Sequence, residues 1–88
     1  MASIPQDMFV AILNREDVFF TEENQWYLGG YVFFDGKIHS FYIDRKDQFD
    51  NLHWSRPIDE ALEMKNFTKG VRPWIHRIKK REEGKKSS

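Results

Sequence analysis

Three histidines, a set of carboxylates and a glycine pair are the residues of this chain whose types could do chemistry. His39, His53 and His76 stand apart, and none has a second histidine at ligand spacing. Asp47, Asp50 and His53 recur at every third residue and would share a face of a helix. A metal needs ligands that converge and a defined outer shell. Three polar residues in a polar segment are better explained as a solvated turn, with Asp47 or Asp50 capping a short helix, so no metal site is assigned. Asp59, Glu60 and Glu63 could form a paired-carboxylate acid/base site. Their place in the first turns of an expected helix accounts for them through the macrodipole. Serine catalysis lacks its Gly-x-Ser-x-Gly signature. Gly29-Gly30 is not a phosphate loop, because such a loop opens a helix after a strand and this pair lies inside one. No catalytic residue and no cofactor are assigned, and a non-enzymatic protein is expected.

The element that must position everything else is Trp26–Asp44, WYLGGYVFFDGKIHSFYID. It reads as two apolar strands joined by Asp35-Gly36, the dipeptide that favours a type I′ turn. With those two residues as the loop, Phe34 faces Lys37, Phe33 faces Ile38, Val32 faces His39 and Tyr31 faces Ser40. Gly30 then lies opposite Phe41, Gly29 opposite Tyr42 and Leu28 opposite Ile43. Alternation divides the side chains into two sets. One face carries Leu28, Val32, Phe34, His39, Phe41 and Ile43. The other carries Tyr27, Tyr31, Phe33, Ile38 and Tyr42, with Ser40. A half-solvated hairpin alternates apolar with polar residues, and this one does not. Either both faces are covered, by the rest of the chain or by a second copy, or the tyrosine-rich face is a contact surface. The glycine pair marks a bulge or a close approach of another backbone or ring.

Flanking segments complete an α+β reading. Ser3 to Gln6 reads as a capping box, opening a helix over about residues 4–14. The run Met8–Leu13 is apolar all round, as a buried strand also is. Val18-Phe19-Phe20 is β-prone and would extend the hairpin to a three-stranded meander, with Thr21 to Gln25 as a polar connection. Phe49, Leu52 and Trp54 are apolar anchors in a polar segment. Ser55, Arg56 and Pro57 look like the start of a second helix, with Ile58, Ala61 and Leu62 as its stripe, Met64 and Phe67 beside it, and Gly70 as its stop. Val71, Trp74, Ile75 and Ile78 follow i, i+3, i+4, i+7 spacing, which predicts a helix from about Pro73 to Arg81. The expected fold is a small antiparallel sheet, with a central hairpin extended to three strands, packed with two or three short helices. One domain over residues 1–82 and a disordered basic tail at 83–88 are expected.

Composition bounds the rest. Eighty-eight residues suffice for one modest core. Cysteine is absent, which excludes disulfides and thiolate chemistry and fits a reducing compartment. No signal-like or membrane-spanning run is present, so a cytoplasmic location is expected. Net charge is zero but unevenly placed. Residues 1–68 carry six Lys/Arg and twelve Asp/Glu, 6 − 12 = −6. Residues 69–88 carry eight and two, 8 − 2 = +6.

Two functions fit these features. The first is a protein-binding module, an inhibitor or adaptor, with Trp26, Tyr27, Tyr31, Phe33 and Tyr42 as contacts, since Tyr and Trp dominate interface hot spots. The acidic body then favours a basic partner surface. Such a chain resembles the small accessory proteins of phages and mobile elements, although no family is recognised. The same hairpin suggests a homodimer through a strand edge or the tyrosine face. The alternative is single-stranded nucleic acid, stacked on the tyrosines and held by Arg77, Lys79, Lys80 and Arg81. Zero net charge and the lack of an RNP-type motif count against it.

Overall fold

The computed structural model describes residues 4–46, 53–60 and 70–87. The chain groups into two compact units, residues 1–58 and 59–88. The first unit is α+β: helix α1 (Gln6–Leu13) is followed by strands β1 (Val18–Glu23), β2 (Tyr27–Phe34), β3 (Lys37–Asp44) and β4 (Trp54–Pro57). The strands form one antiparallel meander in the order β1-β2-β3-β4. The second unit contains helix α2 (Val71–Ser87).

The β2–β3 hairpin has the register expected from its turn, from Phe34 opposite Lys37 out to Tyr27 opposite Asp44. Asp35 and Gly36 both hold positive φ, 53° and 76°, as a type I′ turn requires. That turn fixes which residues face α1. Leu28, Val32, Phe41 and Ile43 form one buried cluster with Met8 and Ile12 of the helix. Val18, Phe20 and Phe34 pack at its margin. Burying such a side chain contributes about 1.5–3 kcal/mol, so these few residues carry much of the first unit's stability.

Helix α1 resolves the ambiguity of Met8–Leu13 in favour of helix. Met8, Ala11 and Ile12 are buried at helical spacing, while Val10 and Leu13 are about half exposed. The expected capping box does not start it. Pro5 is the N-cap and makes no side-chain cap bond, and Ser3 lies outside the described residues. Proline's fixed φ suits this boundary.

Strand β1 runs past Phe20 through Thr21 to Glu23, where a polar connection was expected. It contains a bulge between Phe20 and Glu22. Before the bulge Phe20 opposes Gly30, and after it Glu22 opposes Gly29. The extra residue, Thr21, reverses the alternation. Glu22 therefore shares a face with Tyr27 and Tyr42 instead of with the core. Gly30 makes the bulge possible. Its φ is 154°, and a Cβ there would collide with the Phe19 carbonyl oxygen. At Gly29 a Cβ would lie 3.5 Å from Tyr42 Cδ2, an ordinary van der Waals contact that does not by itself require glycine.

The fourth strand corrects the second-helix expectation at its start. Trp54–Pro57 pairs with β3, placing Trp54 opposite Tyr42 and Ser55 opposite Phe41. Ser55 is buried in the sheet and caps no helix there. Pro57 stands at the end of an edge strand, where a missing N–H is tolerated. Ala61, Leu62, Met64 and Phe67 lie outside the described residues, as do Phe49 and Leu52.

In the second unit Val71, Trp74, Ile75 and Ile78 are all buried, which is the expected stripe. Gly70, with φ 100°, precedes the helix. The helical backbone continues through residues 83–87, which composition alone would leave as a disordered tail. Glu82 supports this extension by pairing with Lys85 one turn on at 3.2 Å.

The two glycines at special positions, Gly30 and Gly36, should separate on substitution. Nothing lies within 4 Å of a Cβ built on Gly36, so only its φ matters. Gly36→Asn should change stability by only a few tenths of a kcal/mol, and Gly36→Val should cost about 1–2 kcal/mol. Gly30→Ala should cost more than Gly36→Val because backbone must move. Urea unfolding of the three variants measures this order, and an unchanged midpoint for Gly36→Val would refute the turn's role.

Candidate functional site

The sheet face away from α1 carries one row that crosses all four strands. Glu22 of β1, Gly29 of β2, Tyr42 of β3 and Trp54 of β4 are successive register partners. Opposed residues in antiparallel strands project to the same side, so their side chains form a line. The Tyr42 and Trp54 rings are nearly parallel, 12° apart in plane with centroids 6.2 Å apart. Tyr27, one diagonal step away, brings its ring centroid to 5.6 Å from that of Tyr42. All three rings are half-buried, and Glu22 is exposed. Asp44, opposite Tyr27, closes the end of this face.

The electrostatics follow from that layout. Partial burial raises the Tyr42 phenol above its ordinary value, and the nearby carboxylate of Glu22 adds to the rise, with smaller effects from Tyr27 and Asp44. Tyr42 therefore stays neutral and keeps its hydroxyl as a donor throughout the physiological range. Among the described residues Glu22 forms no ion pair. Arg56 is the cation that β4 brings to this face, opposite Ser40.

The expected contact residues divide under this geometry. Tyr27 and Tyr42 come together in the ring cluster. Tyr31 and Phe33 share the face but lie further along β2 toward the hairpin turn. Trp26 sits in the β1–β2 connection, 45% exposed, with the Lys46 ammonium 5.0 Å from its ring centroid. Asn24 holds that connection by accepting from the Trp26 and Tyr27 amides at 2.8 and 2.9 Å. Trp54 joins this set although Ser55 and Pro57, which follow it, signal a helix start and not a strand. The signal available in sequence was a tryptophan two residues before an exposed arginine, too short an alternation to identify a strand.

The cationic residues proposed for nucleic acid lie on the exposed side of α2. Arg77 and Lys80 are exposed. Lys79 pairs with Glu60, and Arg81 lies 3.3 Å from Glu82. Lys79 and Arg81 thus have carboxylate neighbours among the described residues.

Each histidine of the first unit has a partner of its own. His39 Nε2 donates to the Phe34 carbonyl at 3.2 Å. His53 is buried, stacks on Phe9 at 5.3 Å and donates to the Asp44 carbonyl at 3.0 Å. His76 is exposed on α2. Among the described residues no group of three or more His, Asp or Glu side chains could hold a metal; Asp47, Asp50 and Glu63 lie outside them. A cavity of about 200 Å³ is lined by Phe9, Leu13, Leu28 and Ile43, with Asp44, Arg45 and His53 as its polar part. Among the described residues no helix is long and apolar enough to cross a membrane.

No family model, no curated protein and no solved structure matches this chain.

The α1–β1 connection offers a pH test. Arg15 and Asp17 both hold left-handed backbone, at φ 59° and 53°. The Arg15 guanidinium pairs with Glu23 and lies 4.9 Å from the Phe20 ring centroid. Hydrogen bonding to Arg15, more than charge alone, holds the Glu23 carboxyl below its ordinary range. A depressed carboxylate stabilises the fold above its unfolded pKa and loses that contribution as pH falls through the folded one. Wild type should therefore melt above Glu23→Gln at pH 7 and converge with it in acid, below the ordinary carboxylate range. Thermal scans of both proteins between pH 7 and pH 2 test this, and a gap that persists in acid would rule out the pair as its source.

Proposed function

We propose that this chain is a non-enzymatic protein-binding module, of inhibitor or adaptor type, acting in the cytoplasm through the sheet face that bears Tyr27, Tyr42 and Trp54. One observation carries the reading: three aromatic rings gathered on strands β2, β3 and β4 opposite the α1-covered face. Rigid aromatic side chains present large contact area at low conformational cost, and strands hold them in fixed relation. Tyr42 keeps a hydroxyl that can donate to a partner, so the surface offers both apolar area and directional bonding.

The acidic surround favours a partner of opposite charge. Residues 1–58 carry five Lys/Arg and nine Asp/Glu, 5 − 9 = −4. Charge complementarity of this kind speeds association and selects among partners. A nucleic-acid backbone is disfavoured beside it, since phosphates would meet Glu22 and Asp44 at the same rings that would stack bases.

Capture from a native-host lysate tests the assignment. Wild type, Tyr42→Leu, Trp54→Ala and a chain truncated after Ile78 are immobilised, and retained proteins are quantified by mass spectrometry. Circular dichroism confirms that each is folded. A protein held by wild type and by the truncated chain should fall by about tenfold or more with either ring substitution. Retention indifferent to both rings would overturn the reading. So would single-stranded RNA or DNA binding at physiological salt that is lost on truncation. If the retained protein is the chain itself, sedimentation at micromolar concentration will show a dimer that Tyr42→Leu dissociates.

A further inference from the structure

We infer that the row Glu22–Gly29–Tyr42–Trp54 is a binding site for an arginine side chain presented by the partner protein. This rests on the reading of the aromatic face as a protein-binding surface and names the chemistry that surface selects. The row places an exposed carboxylate and two near-parallel rings on one line across the sheet. Gly29 between them contributes no side chain, and a Cβ there would touch both, 3.5 Å from Tyr42 Cδ2 and 3.7 Å from Glu22 Cβ. A guanidinium is planar, weakly hydrated and able to stack on a ring while its N–H fork meets a carboxylate. A lysine ammonium matches the charge but not the plane, and an acidic side chain would meet Glu22 and Asp44.

The molecule builds such an arrangement with its own arginine. On the opposite face Arg15 lies over the Phe20 ring and pairs with Glu23. Ring and carboxylate there come from the same strand, three residues apart. Glu22 with Tyr42 and Trp54 repeats that pairing of carboxylate and ring across strands, and among the described residues no cation pairs with Glu22. Charge complementarity therefore points to a guanidinium from outside. The β1 bulge gives the site its composition, because without Thr21 as the extra residue Glu22 would lie on the core face.

The test uses the full chain, labelled with nitrogen-15, at low salt. It is titrated with a capped Gly-Arg-Gly-Arg-Gly peptide and with the same peptide carrying citrulline, a neutral isostere, at both arginines. Saturable shifts are expected at Glu22, Gly29, Tyr42 and the Trp54 indole, with binding about tenfold tighter for arginine than for citrulline. Glu22→Gln should weaken the arginine peptide about threefold and leave the citrulline peptide unchanged. Tyr42→Leu, which keeps bulk but removes the ring face, should abolish the arginine preference. Equal binding of the two peptides, or shifts elsewhere on the surface, would overturn the assignment. If lysate capture still depends on Tyr42 and Trp54 while the peptides do not discriminate, the protein-binding face stands and the arginine site falls. If capture ignores both rings, the functional reading itself falls.

Discussion

The two-residue turn at Asp35-Gly36 is the constraint on which the first unit depends. Its backbone admits one register, and register decides which side of the sheet every hairpin side chain occupies. A slip of one residue would send Leu28, Val32, Phe41 and Ile43 away from α1 and bring the tyrosines under the helix. The apolar cluster around Met8 and Ile12 and the aromatic row on the other face are thus two consequences of one local geometry. The β1 bulge then adds a second choice. It keeps Phe20 on the core side and turns Glu22 to the aromatic side within two residues. Position 30 must be glycine for both features, since it stands opposite Phe20 and against the Phe19 carbonyl.

Each face shows a different way of using aromatic residues. On the core face Phe41 is buried and meets Phe20 edge-on, at 86° between planes. Such packing fixes both rings and contributes beyond their area alone. On the other face Tyr27, Tyr42 and Trp54 are only partly covered, and their planes lie at 31° and 12° to one another. Aromatic content alone could not separate these roles. Strand parity could, once the turn had set it.

The hairpin was legible in sequence because its determinants are local: a turn dipeptide, alternating apolar residues and a glycine pair. The stripe of α2 was legible for the same reason, since one period over eight residues specifies it. What was lost depended on contacts distant in sequence. The bulge arises where Phe19 meets Gly30, and neither residue alone signals it. Strand β4 has only four residues and derives its identity from pairing with β3. Its Ser55 and Pro57 carry strong helix-start signals, so local propensity pointed the wrong way and tertiary pairing prevailed. The missing strand also hid Trp54, and with it a third of the ring cluster. The length of α2 escaped for a related reason: Lys and Arg near its end suit both a solvated tail and a helix whose Glu82 draws on Lys85 and Arg81.

The sheet's edges bear on which surface a partner can use. Strand β1 presents an outer edge that is kinked by its bulge and carries Glu22 and Glu23. Both features discourage a further strand from adding there, because the ladder loses its regular spacing and carboxylates crowd the approach. Strand β4, at the other edge, is four residues long and ends in a proline that lacks an N–H. Among the described residues neither edge offers the long, regular run of free amides and carbonyls that β-augmentation needs. A protein partner, as proposed, would therefore meet a face rather than an edge. Helix α1 packs on the core face, so the proposed contact is the row that begins at Glu22 and ends at Trp54. There side-chain chemistry, and not backbone pairing, would set the specificity.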